Sequence, residues 1–377
     1  MQISVVSEVQ DGEGRVAISP DMIKKYVGMG FSVAVQAGAG AGSTFSDEVF
    51  KEAGASISDT RESLLSNGDL ILSVQSLPKE DLGHVKRGAA ALSILNPFGD
   101  PEGIKAYAEA GIMGFAMEFM PRISRAQSMD VLSSQSNLAG YKAVLEATHY
   151  FGRAMPMMMT AAGTVAPARV FVMGAGVAGL QAIATAKRLG AIVSATDVRA
   201  ATKEQVESLG GTFVMVESDE EDGETAAGYA KEMSEDYKVK QAALVADHIA
   251  KQDIVITTAL IPGRPAPKLV SDKMLQSMKP GSVIVDMAVE TGGNVEGAQY
   301  GEVVDLYGVT VVGLKNLPSR LAADASSLYA KNLYNFLSPF ADGEGTLTFD
   351  FEDELVSGTC VTKDGAIVHE RLREEGN

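Results

Sequence analysis

The sequence predicts an α/β protein built from two doubly wound, parallel-sheet domains. Three observations carry this prediction. Short apolar strands alternate with polar helical segments at intervals of roughly 20–30 residues, the rhythm of a parallel sheet crossed by helices. The alternation runs through the first 120 residues and resumes at Ala168. At 377 residues the chain is long enough for two cores.

Strands are expected in the first half at "ISVVSE" (3–8), "FSVAVQA" (31–37), "LILSVQS" (70–76), "ALSILN" (91–96) and "MGFAMEF" (113–119). The intervening "PDMIKKYVGMG", "SDEVFKEAG" and "PEGIKAYAEAG" read as helices. The first opens with Pro20 behind Ser19 and all three close on glycine, which are start and stop signals. Residues 134–150 form a helix leaving this domain, and "FGRAMPMMMTAAGTVAPARV" reads as a hairpin-like excursion whose methionines suit a core or subunit contact. Strands follow at "ARVFVMG", "AIVSATD", "DIVITTAL", "GSVIVDMA" and "VTVVGL". A linker and long helix near 318–340 then carry the chain back to the first domain. The expected division is residues 1–132 with 323–377, and residues 133–322.

Composition narrows the function. Hydrophobic residues make up 46% and charged residues 21%, an ordinary folded composition. A net charge of −17, from 32 basic and 49 acidic residues, repels nucleic acid and anionic lipid. No apolar run reaches the ~18–20 residues of a membrane span, and no basic segment followed by an apolar block marks a signal peptide. The cytoplasm is therefore expected. Cys360 is the one cysteine, so an intrachain disulfide and a multi-cysteine metal site are excluded. We expect no metal, and read His84, His149, His248 and His369 as surface or packing residues.

The strongest local signal is "RVFVMGAGVAGLQAIATAKRLGAIVSATD". Gly174, Gly176 and Gly179 make G-x-G-x-x-G after an apolar strand and at the mouth of a helix, with Ala175, Val177 and Ala178 between them. The first glycine serves a tight turn, the second lets backbone approach a pyrophosphate, and the third lets helix and strand pack closely. The helix start offers free N–H groups and the positive end of its dipole. Asp197, followed by Val198, ends the next strand 18 residues past Gly179, where a carboxylate receives the adenosine ribose hydroxyls. A carboxylate there repels a 2′-phosphate, so NAD(H) is expected over NADP(H), although Arg199 nearby suits such a phosphate. The domains are thus expected to be Rossmann-like and to flank a nucleotide cleft. Residues 217–237 are acidic and without a strand pattern, so they read equally as a lid, with Tyr229 behind Gly228 closing over the nucleotide, or as a solvated loop.

The segment "PRISRAQSMDVLSS" (121–134) carries two arginines, a glutamine, an aspartate and several hydroxyls, with no histidine, cysteine or lysine. From the residues alone it is either a positioning site or a structural Arg–Asp pair at a domain boundary.

Together with "RVAISP", "GAGAGS", "MMMTAAGT", "TDVRAATKEQVESLGG", "ITTALIPGRPAP", "MKPGSVIVDMAVETGGN" and "SGTCVTKDGAIVH", that segment resembles the NAD(H)-binding component of proton-translocating NAD(P) transhydrogenases along essentially the whole chain. Alanine dehydrogenases are the related family. The resemblance implies that Arg122, Gln127, Asp130 and Ser133 place the nicotinamide, that Tyr229 lies on a mobile loop over the nucleotide, and that Thr258 and Leu260 border the cleft. It also implies a homodimer, plus two partners on other chains: an NADP(H)-binding domain and a membrane-spanning proton channel. Such a chain would sit on the inner face of the membrane through those partners and would be inactive alone.

The alternative is an alanine dehydrogenase. That family has a lysine and a histidine at the ends of the strands that here finish at Gln75 and Asn96. It has a catalytic aspartate where Glu290 stands, while its substrate-gripping arginine is kept as Arg15. Gln75 and Asn96 cannot exchange protons near neutral pH. A non-catalytic NAD-sensing module is a third reading.

Overall fold

The structure, a computed structural model, describes residues 1–216, 234–261 and 263–373. It divides the chain into two units, residues 1–135 with the segment from Pro318 onward, and residues 136–317.

In the first unit, β1 (Gln2–Val5), β2 (Ser32–Gln36), β3 (Ser56–Ser58), β4 (Leu70–Gln75), β5 (Ala90–Ile94) and β6 (Met113–Ala116) are all parallel. They lie in the order β3-β2-β1-β4-β5-β6. This is a Rossmann-like winding, which reverses between β1 and β4. Both faces of the sheet are covered, so its strands are apolar on both sides: on β4, Leu70, Leu72 and Val74 join one core cluster and Ile71 the other. The helices start where the sequence placed them. Ser19, Ser46 and Asp100 each accept a main-chain N–H from the first turn of the helix that follows.

The helix Val131–Tyr150 leads into the second unit, followed by the hairpin of β7 (Met158–Thr160) and β8 (Gly163–Val165). A second sheet holds β9 (Arg169–Met173), β10 (Ile192–Thr196), β11 (Thr212–Phe213), β12 (Ile254–Thr257), β13 (Val283–Asp286), β14 (Val303–Leu306) and β15 (Val309–Val312). Its order is β11-β10-β9-β12-β13-β15-β14, with only β14 antiparallel to its neighbour. Val170 and Val172 on β9 face one core and Phe171 and Met173 the other.

The chain then returns to the first unit through the helix Ala322–Leu337. It adds β16 (Cys360–Lys363) antiparallel to β6, and β17 (Ala366–Ile367) at the edge. The units meet at 135/136 and 317/318, whereas the sequence reading put the divisions at 132/133 and 322/323. Gln135 explains the first difference: it accepts from Arg15 Nη1 and donates to the carbonyl of Ala325, so the first turn of its helix is tied into the first unit.

Candidate functional site: a glycine turn and an anchored polar loop

Gly174 follows β9 with φ +106°, a backbone conformation that glycine alone adopts without strain. A β-carbon there would stand 2.4 Å from Thr258 Oγ1, and one on Gly179 would stand 1.8 Å from the carbonyl oxygen of Gly174. Both glycines are thus required by close packing of turn, helix and neighbouring strand. Gly176 differs. Among the described residues a β-carbon there meets nothing nearer than Arg199 Nη2 at 3.8 Å, so they leave the outer face of this residue open. Gly176 is also the N-cap of the helix Val177–Arg188, and among the described residues no side-chain cap is made there. Val177 is exposed and Ala175 buried. Ala178 packs its carbonyl against Gly140, where a β-carbon would come within 2.1 Å. An open second glycine before a helix start uncapped by side chains fits a bound pyrophosphate.

Asp197, buried at the end of β10, binds back to the turn. Its Oδ2 accepts from Ala175 N at 2.7 Å and from Arg199 Nη2 at 2.9 Å. Its Oδ1 accepts from Arg199 N and Nε, each at 2.9 Å. Val198 between them is partly exposed. Arg199, which the sequence suggested for a 2′-phosphate, is here the ion-pair partner of Asp197.

Across the turn, Thr258 Oγ1 donates to the Gly174 carbonyl at 3.0 Å. Leu260 is exposed. The next residue inward was missed by sequence reasoning. Asn294 is fully buried, accepts from Ala259 N, and donates to the carbonyls of Ala259 and Pro267, clamping the segment that carries Thr258 and Leu260. Asp286 does the same one layer below, accepting from Thr257 Oγ1, Ala288 N and Val295 N. The G-G-N that follows "VDMAVET" was the available signal. Gly228 and Tyr229 lie outside the described residues.

In the first unit the polar segment forms a 3₁₀ helix, Ser124–Met129, between β6 and the helix Val131–Tyr150. Arg122 and Gln127 are exposed and Asp130 is half-buried. Asp130 receives Ser133 N at 2.9 Å and Ser133 Oγ at 2.5 Å, which ties the end of the loop to the helix start. The C-terminal segment fixes the loop from behind. Arg125 makes a two-point pair with Asp353, and the side-chain amides of Asn332 and Asn335 both donate to the Ser128 carbonyl. The Arg125 hydrogen bonds hold the Asp353 carboxyl below its ordinary pKa. These three anchors were not legible because each comes from a distant stretch of chain.

At the strand ends that decide between reaction classes, Arg15 is buried and held by two partners. Its Nε and Nη2 donate to the two carboxylate oxygens of Glu13, and its Nη1 to Gln135. Gln75 Nε2 also donates to Glu13, at 2.9 Å. Glu8 and Glu118, unremarked in the sequence, each accept two main-chain N–H groups, from Val74 and Gln75 and from Leu95 and Asn96 respectively. Enclosure by protein pushes both carboxyls up to about 7.

Family models describe both halves of this arrangement: alanine dehydrogenase/PNT N-terminal domain over residues 4–139, and alanine dehydrogenase/PNT C-terminal domain over residues 143–370. The chain is 55% identical to an NAD(P) transhydrogenase subunit alpha chain of Rhodospirillum rubrum, over the whole of both chains. The chain belongs to the alanine dehydrogenase/PNT family, among the NAD(P) transhydrogenase alpha subunits. A transhydrogenase from Sinorhizobium meliloti has the same structure, with a TM-score of 0.90 at 54% identity, covering 98% of this chain and 100% of that one. An L-alanine dehydrogenase shares the fold at TM-score 0.83 and 22% identity, covering 99% and 98%. The chain is accordingly an NAD-binding oxidoreductase with a Rossmann-like fold. No described helix is long and apolar enough to cross a membrane.

Proposed function

We propose that this chain is the NAD(H)-binding subunit of a proton-translocating NAD(P) transhydrogenase. It exchanges hydride with NADP(H) held on a partner domain of another chain, and a separate membrane component couples that exchange to proton movement. The observation that carries the reading is the state of the strand ends in the first unit. Reductive amination of a keto acid needs a group to grip the substrate carboxylate and groups to move protons at nitrogen and oxygen. Arg15 is held by Glu13 and Gln135 through three of its five side-chain N–H groups, and the residues at the strand ends are the amides Gln75 and Asn96. Glu8 and Glu118 have carboxyls near neutrality, but both oxygens of each serve main-chain N–H groups.

Dihydronicotinamide supplies the hydride when bound. The transfer breaks and makes only C–H bonds, so the protein's task is to place two rings within roughly 3–3.5 Å. Gly174, Gly176 and Gly179 shape the pyrophosphate cradle, Asp197 accepts the adenosine ribose, and Ala175, Val177, Ala178 and Val198 line it. Thr258 and Leu260 border it. Arg122, Gln127, Asp130 and Ser133, on a loop braced by Asp353, Asn332 and Asn335, orient the nicotinamide. The exposed Met157, Met158 and Met159, the last two on β7, support a homodimer contact.

The test runs two reactions with purified protein. One supplies NADH, pyruvate and ammonium; the other supplies NADH, an oxidised NAD analogue of distinct absorbance and a partner domain loaded with NADP(H). Analogue reduction only with the loaded partner is expected. Turnover of pyruvate without a partner would mean an amino-acid dehydrogenase, and binding of NADH with neither reaction would mean a sensing module.

A further inference from the structure

Asp197 has no acceptor capacity left. A carboxylate offers about four lone-pair positions, and four donors converge on this one: Ala175 N and Arg199 Nη2 on Oδ2, Arg199 N and Nε on Oδ1. Two of the four are main-chain groups fixed by the glycine turn and by the chain leaving β10. The other two belong to one rotatable side chain and fall one on each oxygen. A ribose offers two vicinal hydroxyls, and they can reach Asp197 only in the places that the guanidinium holds.

The same guanidinium lies beside the pyrophosphate cradle. Arg199 Nη2 is the nearest atom to the open face of Gly176, 3.8 Å from where a β-carbon would be. The pair is largely withdrawn from water, with 16% and 6% of the two side chains exposed. Stripping a carboxylate of its cation in such a place is costly unless the cation gains another anion.

We infer that Arg199 is an internal competitor for the ribose site, released from Asp197 by adenosine ribose and taken up by the dinucleotide's pyrophosphate. This rests on the reading of Asp197 as the ribose acceptor and extends it. The exchange leaves every group hydrogen-bonded and the cation still paired with an anion. Asp197 trades two guanidinium N–H groups for two hydroxyls, and Arg199 trades a carboxylate for a phosphate, for which its planar fork is equally suited. The two halves of the ligand then depend on each other. Ribose without phosphate must displace Arg199 and offers it nothing, so the phosphates matter more than their own contacts with the turn would make them.

The test is calorimetric titration of the full chain with adenosine, ADP and NADH, for the unaltered protein, Arg199→Met, Arg199→Lys and Asp197→Asn. Arg199→Met should bind adenosine about tenfold more tightly, while the gain in affinity from adenosine to ADP shrinks by about tenfold or more. Arg199→Lys, which keeps the charge but loses the two-point grip, should fall between, and it serves as the second readout if the methionine variant folds poorly. Adenosine binding that is unchanged or weakened in both variants, with Asp197→Asn still defective, would show that Arg199 merely supports the carboxylate and would overturn the inference. Asp197→Asn binding adenosine and NADH as well as the unaltered chain would remove the ribose reading itself, and the competitor with it.

Discussion

The two sheets set their first five strands in the same order and reverse their winding at the same place, between the first strand and the fourth. Open α/β sheets hold ligands beyond the carboxyl ends of the strands at such a point. In the second unit that place carries Gly174, Gly176 and Gly179. In the first it carries "VSEVQDGEG", whose Glu8 folds back onto Val74 and Gln75 and lines a cavity of about 260 Å³ with Arg61 and Lys79. That volume is below the usual range for a cofactor site of about 300–1,000 Å³. Topology supplies a crevice in both units; the turn after the first strand decides what the crevice can take.

The comparison can be broken most sharply at Gly179. Gly179→Ala drives a methyl against the Gly174 carbonyl, and we expect a loss of about 3 kcal/mol or more in unfolding titrations, with NADH binding abolished. Gly176→Ala is its counterpart. With no atom nearer than 3.8 Å it should unfold within about 1 kcal/mol of the unaltered chain yet bind NADH at least about tenfold more weakly. Equal loss of stability in both variants would dissolve the distinction between the packing glycine and the ligand glycine.

Next in size are changes in the polar loop. Asp130→Asn or Gln127→Asn should slow hydride transfer far more than they weaken NADH binding, since their residues place a ring and do not carry most of the affinity. Equal losses in stopped-flow transfer and in binding would reject the positioning role. Asp197→Ala should narrow the preference for NADH over NADPH, read as a ratio of dissociation constants; an unchanged ratio would reject the carboxylate as the discriminator.

The smallest effect belongs to the first unit. Glu8 and Glu118 hold their protons up to about pH 7 in the fold, against an ordinary carboxyl value of 4.5. A group with a raised folded pKa gives stability that is complete below its unfolded value and is lost as pH rises through the folded one. Both residues are partly exposed overall, which tempers the magnitude. Urea midpoints should therefore fall between pH 5 and pH 8, by about 1–2 kcal/mol per glutamate, and Glu8→Gln with Glu118→Gln should flatten that slope. A slope unchanged in the double variant would place the titration elsewhere.

Much of this comparison was legible in the chain. The glycine turn, the acidic residue after it and the apolar strands are local signals with fixed spacing, and the sequence carried them without help. Less legible were β3, β11, β16 and β17, which are short and stabilised by neighbours instead of by their own pattern. The antiparallel edge strand β14 also went unread, although the two-residue turn Tyr307–Gly308, both at positive φ, joins it to β15. The site's supports were harder still. Asn294, Asp353, Asn332 and Asn335 look like surface polar residues in sequence and become clamps only through contacts with segments from 27 to 228 residues away. Arg199 was legible as a residue, but its bond to Asp197 depends on where the guanidinium turns.

The polar loop's dependence on its last anchors also has a consequence for synthesis. Residues 136–317 form one unbroken unit, whereas the first unit needs the helix Ala322–Leu337, Asp353 and β16 from the far end of the chain, and even the amino group of Met1 bonds to the Gly345 carbonyl. Domains fold as their residues leave the ribosome. The glycine turn can therefore assemble while translation is under way, and the loop made of Arg122, Gln127 and Asp130 gains its supports only once Asn332, Asn335 and Asp353 have emerged. A nascent chain would acquire the means to grasp a nucleotide before it acquires the means to aim one.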